Sequence, residues 1–338
     1  MKTNNTLKTI SAAMLLACGV VLNANAQDGN VYAYHAGHVV FMDSENNINR
    51  VALESNKTVI SFYDNDEKVL FTTPANGIDS ISFNFTAPVA DMLDVQFGED
   101  GSVNDVSPMH NPIQTFATED GEHYAESVVP VRYSDQYGRY IATYANDWGK
   151  GSLGKNGVYS KMDYSSNSDF MAKLADGHTL RAIFCANDEV PDAESKWFSG
   201  HEAGGTGLMV CKSGKGMNGG NDITFLPNVS ADGSKSNWIW AVSGVRPEPG
   251  TFYDVVGVWN KEEGKAYIYV NGELLNTVEA AGELHFPNNE AARWLAIGCD
   301  AGPKGGQFGG NWDIVTTKVY DAPLSKYDVQ MMYNEAQY

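Results

Sequence analysis

Cysteine is scarce, with four in 338 residues, and their spacing fits neither a zinc site nor a disulfide framework. Cys185, Cys211 and Cys299 leave room for one bridge, and three buried thiols are the favoured expectation. Basic residues are few: 23 Lys and Arg stand against 42 Asp and Glu, a formal net charge of −19. So acidic a surface repels phosphate backbones and anionic lipid, which excludes nucleic acid as a partner. Long alanine, leucine, glutamate and lysine stretches are absent, which excludes coiled coils and helical bundles, and the 34 glycines follow no Gly-X-Y period. After the first 26 residues no run approaches the ~20 apolar residues of a membrane span. What remains is 43% hydrophobic and 11% aromatic, the composition of a folded, loop-rich β protein.

The N-terminus reads as an export leader. Lys2 and Lys8 precede an apolar run over 10–22, and Ala24-Asn25-Ala26 supplies the small residues signal peptidase requires, so cleavage is expected before Gln27. Cys18 behind Leu15-Leu16-Ala17 offers a lipoprotein site as the alternative. Against it, Gly19-Val20-Val21-Leu22 stays apolar where a lipid-bearing tether turns polar. The expected location is secreted, periplasmic or at the cell surface.

Residues 27–86 alternate short β-type runs, at 31–34, 39–42, 50–53, 58–63, 68–71 and 78–83, with polar turns such as Asp64-Asn65-Asp66-Glu67. About 60 residues make a marginal core, so this is read as a small β module, with a linker at Thr86-Ala87-Pro88. Its ending, Ile78-Asp79-Ser80-Ile81-Ser82-Phe83, resembles a segment that follows signal peptides in many exported Bacteroidetes proteins. From residue 91 to 338 a dozen or more strand-like runs are broken by glycine-rich loops. One helix is expected at the C-terminus, where Ser325 and Asp328 form a capping box. Strands without interleaved helices predict an all-β, two-sheet antiparallel sandwich.

The strongest local pattern spans 251–277. Thr-Phe-Tyr-Asp-Val-Val-Gly-Val-Trp-Asn, a Lys-Glu-Glu-Gly turn, Lys-Ala-Tyr-Ile-Tyr-Val and an Asn271-Gly272 turn predict a three-strand meander. With Leu295-Ala296-Ile297-Gly298-Cys299-Asp300 and Trp312-Asp313-Ile314-Val315 further on, this order resembles the laminin G-like domains of the concanavalin A-like lectin/glucanase superfamily. The resemblance covers 91–338 and implies a jelly-roll sandwich serving glycan or cell-surface protein recognition. It also implies one structural calcium ion, for which Asp105, Asp313 and Asp300 are the candidates by position. Ile314 departs from the family, whose residue after the aspartate is usually acidic.

Catalytic signatures are missing. Glycosidases of this fold carry Glu-x-Asp on one strand, so that both carboxylates share a face, and no glutamate here has aspartate two places on. Carboxylates from separate strands remain the enzymatic alternative, a hydrolase or lyase. His-Glu-x-x-His and Gly-x-Ser-x-Gly are absent, and His35 and His38 lie three apart, on opposite strand faces. Gly149-Lys150-Gly151-Ser152-Leu153-Gly154 fits G-x-G-x-x-G but lacks the helix a nucleotide needs behind it, and Gly214 to Gly219 repeats the pattern by chance.

Sugars present a polar rim and apolar C–H faces, so their sites pair an aromatic platform with carboxylate or amide groups. Trp148 beside Asn146 and Asp147 is the first candidate, and Trp312 with Asn311 the second. Trp238 and Trp240, two apart and sharing a strand face, read equally as platform or core. Trp259 and Trp294 lie inside alternating runs and read as core. The reading is an exported, non-catalytic binding protein, with a protein-adhesion module as a further alternative.

Overall fold

The computed structural model describes residues 9–11, 29–54, 58–200, 205–212, 214–217, 220–302 and 305–336. The expected leader lies outside these except for a short strand, Thr9–Ser11. The chain forms two compact units: one takes residues up to Pro88 together with Ser325–Met331, the other Val89–Leu324 with Met332–Tyr338.

The first unit is built from two small antiparallel sheets. Asn30–His35 and His38–Ser44 form a hairpin beside Ser80–Ser82, and Arg50–Glu54, Val59–Tyr63 and Val69–Pro74 form a three-strand meander. Period-two alternation splits the first strand. Val31 and Ala33 join Phe41, Phe62 and Ile81 in one cluster, while Tyr32 and Tyr34 pack with Val39 and Met331 in another. The capping box forms as its residues suggest. Ser325 Oγ accepts the Asp328 amide at 3.1 Å, and Asp328 Oδ2 accepts the Ser325 amide at 3.0 Å. The fully buried Asp328 also accepts the Val39 amide.

The second unit is a sandwich of an eight-stranded and a nine-stranded sheet, and the strand pairings of the described residues are antiparallel. The nine-stranded sheet centres on His178–Ala186, flanked by Phe252–Asn260 and Asn311–Tyr320. Its inward residues, among them Leu180, Ala182, Phe184, Val255 and Ile314, meet Leu208, Val210, Phe225 and Ile297 of the other sheet. Trp197 stacks on Phe184 at 4.0 Å, and Trp312 meets both edge-on. Trp259 is fully buried, as its place in an alternating run implies. Trp294 is buried too, but in a satellite cluster with Tyr159 and Cys299. The meander forms as read, and Asn271 (φ 52°) and Gly272 (φ 79°) make its left-handed turn.

A second helix, Ser168–Ala175, corrects the expectation of one. Asn167 caps it by accepting the Phe170 amide, and Phe170 and Leu174 anchor it in the core. Only eight residues long, it depends on that anchoring more than on its own propensity. Cys185, Cys211 and Cys299 are buried free thiols.

Candidate functional site: a cleft on the nine-stranded sheet

Each strand of the nine-stranded sheet alternates between core and outer face. On the outer face the central strand presents Arg181 and Ile183, and its neighbour presents Phe252 and Asp254. Arg181 grips Asp254 with two parallel hydrogen bonds, Nε to Oδ1 at 3.0 Å and Nη2 to Oδ2 at 2.6 Å, and Nη2 also donates to the Met332 carbonyl. Both side chains are under a tenth exposed. Burial opposes the charge on Arg181, but the Asp254 carboxylate outweighs it and pushes the guanidinium further up.

Beside this pair lies a cavity of about 300 Å³, lined by Tyr137, Phe252, Tyr333, Gln136, Thr251 and Asn271 among others. A second cavity of about 170 Å³ adjoins it through Tyr137 and Ile183 and is lined by Arg139 and Lys318. Tyr137 meets Phe252 edge-on at 5.3 Å. Burial, followed by the charge of Asp254, pushes the Tyr137 phenol up to about 12, so at neutral pH it is a hydrogen-bonding hydroxyl. Asn271 is pinned, its Oδ1 accepting the Asp254 amide and its own amide donating to the Asp254 carbonyl. Aromatic faces, neutral polar groups and one braced ion pair converge here, which suits a ligand with both apolar and hydroxyl surfaces. Among the described residues lining the larger cavity, Asp254 is the one carboxylate, and Arg181 occupies both its oxygens.

None of the candidate site residues named from sequence lines this cleft. Trp148 is half-buried, its ring edge-on to Trp312 at 4.5 Å. Trp312 is wholly buried, with Nε1 donating to the Lys196 carbonyl. Asn146 is buried, donating to the Val158 and Gly298 carbonyls and accepting the Val158 amide. Asp147 is exposed and pairs with Lys150. Asn311 donates to Asp188 and accepts from Asn187. Trp238 and Trp240 lie half-buried together on the outer face of the other sheet, against Met209, Cys211, Leu226 and Val242, and Lys215 Nζ stands 5.1 Å over the Trp240 ring.

The three calcium candidates are separated, and hydrogen-bond donors surround each. Asp105 accepts from the Asp94, Ser107 and Asn111 amides and from the Ser107 and Asn111 side chains. Asp313 accepts from Arg132, Thr143 and Asn187. Asp300 accepts from Lys196 and Ser199. A hard cation needs several acceptor oxygens turned toward it, and these donor sets do not fit one. Among the described residues no three His, Cys, Asp or Glu side chains are grouped for a metal.

The cleft residues escaped the sequence reading, yet two carry a signal. Arg181 and Asp254 each interrupt a run of apolar strand residues, on neighbouring strands.

Residues 182–330 match the model of the Laminin_G_3 family, of the concanavalin A-like lectin/glucanases superfamily. No curated protein matches the chain. Among solved structures it is similar to the binding domain of botulinum neurotoxin DC in complex with SialylT (11% identity, TM-score 0.48, covering 74% of this chain and 52% of that one). It is also similar to the same toxin's binding domain in complex with rat synaptotagmin II (13%, 0.49, 74% and 53%). A third is the binding domain of Paraclostridial Mosquitocidal Protein 1 (9%, 0.49, 72% and 52%). The chain spans about half the length of these structures.

Proposed function

We propose that this is an exported, non-catalytic binding protein whose sandwich takes a glycan in the cleft on the nine-stranded sheet. The observation that carries the reading is the cavity walled by Tyr137, Phe252 and Tyr333 and edged by Gln136, Thr251 and Asn271. Aromatic rings cover the C–H faces of a sugar, and amide and hydroxyl groups read its hydroxyls. The leader of Lys2, Lys8 and Ala24-Asn25-Ala26 supports export to a place where glycans are met.

Glycan-array and calorimetric screening of the full chain tests this. A ligand found there is expected to bind at least tenfold more weakly to Tyr137→Ala and to Phe252→Ala. A blank screen across host and plant polysaccharides removes the glycan and leaves a cell-surface protein as the partner. Trp238 and Trp240 favour a second location, because their half-buried rings share one face beneath Lys215. Binding lost in Trp240→Ala and kept in Tyr137→Ala would move the site there.

A further inference from the structure

Lys196 is 2% exposed, and its Nζ lies between two carboxylates. Asp300 Oδ2 stands 2.8 Å away and Glu194 Oε1 3.4 Å. Asp300 is fully buried, and its other oxygen, Oδ1, accepts the Ser199 hydroxyl at 2.8 Å. Apolar groups stand close to the pair: Met209 sits directly across the strands from Lys196, the buried Cys299 adjoins Asp300, and the Phe308 ring lies 5.1 Å from Nζ, while the partly exposed Glu194 turns its other oxygen, Oε2, toward Lys212 Nζ at 3.9 Å. Local geometry makes the arrangement. Glu194 and Lys196 are two apart and point the same way, and a bulge after Lys196 lets Trp197 and Phe198 both face the core before Ser199 returns to the Lys196 side. Phe308 holds a left-handed backbone (φ 47°), unusual for an aromatic residue, and its carbonyl accepts the Lys196 amide.

A buried ion pair is costly, since desolvating two charges offsets much of their attraction. Moving the proton from Nζ to Asp300 Oδ2 removes both charges and leaves an amine beside a carboxylic acid. We infer that Lys196 and Asp300 join in an intramolecular amide bond, with Glu194 as the proton carrier. In that reaction the Nζ lone pair attacks Asp300 Cγ, and the charge developing on Oδ1 is met by the Ser199 hydroxyl. Glu194 takes the remaining surplus proton from nitrogen and delivers it to the Oδ2 hydroxyl. The C–Oδ2 bond then breaks, water leaves, and Glu194 returns to its starting state. One C–N bond forms, one C–O bond breaks, and no oxidant or reductant is needed. Held at contact distance by the fold, the groups need no outside enzyme to bring them together.

Peptide mapping of the purified full chain by tandem mass spectrometry, after denaturation, is the test. The expected result is a branched peptide joining the Lys196 and Asp300 segments, one water lighter than their sum, with no trypsin cut after residue 196. The Glu194→Gln variant, which keeps the shape, should yield the two linear peptides instead. A linear peptide ending at Lys196 in the natural chain, with no branched species, overturns the bond whatever the variant does. A fully linked Glu194→Gln protein overturns the role of Glu194.

Discussion

Arg181 and His178 show how neighbours govern a buried ionisable side chain. Arg181 is held by Asp254 inside the sheet face, so Arg181→Ala leaves a carboxylate buried without its counter-charge, at a cost of about 3–5 kcal/mol. Pairing Arg181→Met with Asp254→Leu removes both charges, and chemical denaturation is expected to find the double variant more stable than Arg181→Ala. His178 is fully buried, with Nδ1 2.9 Å from the Leu174 carbonyl and Nε2 3.0 Å from Thr206 Oγ1. Burial lowers its pKa to about 4 in the folded state, against an ordinary 6.5. The unfolded chain therefore binds this proton first as pH falls. His178 contributes stability above about pH 6.5 and loses it on the way down to pH 4, by about 3 kcal/mol. Melting temperatures measured across that window should fall, and fall less in His178→Gln.

Among the elements, the Asn271-Gly272 turn does more than join two strands. Gly272 has a positive φ, and a Cβ there would stand 3.0 Å from Tyr333, a wall of the cleft. Gly272→Ala therefore meets both backbone strain and a crowded ring, at a cost of about 1–3 kcal/mol. Urea titration should register that loss, and ligand affinity should weaken with it as Tyr333 shifts. The short helix Ser168–Ala175 illustrates the reverse case. Its Asn167 cap is visible in the chain, but eight residues signal a helix weakly until Phe170 and Leu174 find their places in the core.

For the molecule as a whole, the net charge of −19 weighs against polyanions, which an acidic surface repels. No helix among the described residues is long and apolar enough to cross a membrane. The donor sets around Asp105, Asp300 and Asp313 lead to a simple expectation: excess chelator leaves the melting temperature unchanged within a degree or so. A large drop on chelation, reversed by calcium, would place a cation in the fold after all.

Much of the architecture follows from the order of residues alone. Alternation of apolar and polar side chains, the Asn271-Gly272 turn and the Ser325 and Asp328 cap are local, and a strand's period or a turn's φ angles depend on a few adjacent residues. The cleft is not local. Arg181, Asp254, Tyr137 and Tyr333 come from distant parts of the chain, two from neighbouring strands, one from a turn and one from the C-terminal helix, and only the folded chain makes them one wall. For the same reason Trp312 and Asn146, which look like ligand contacts in their loops, turn inward once the sandwich closes over them, and Lys196 meets Asp300 across more than a hundred residues. Which outward side chain is covered and which is left facing water depends on what packs against it, and that is decided by tertiary contact.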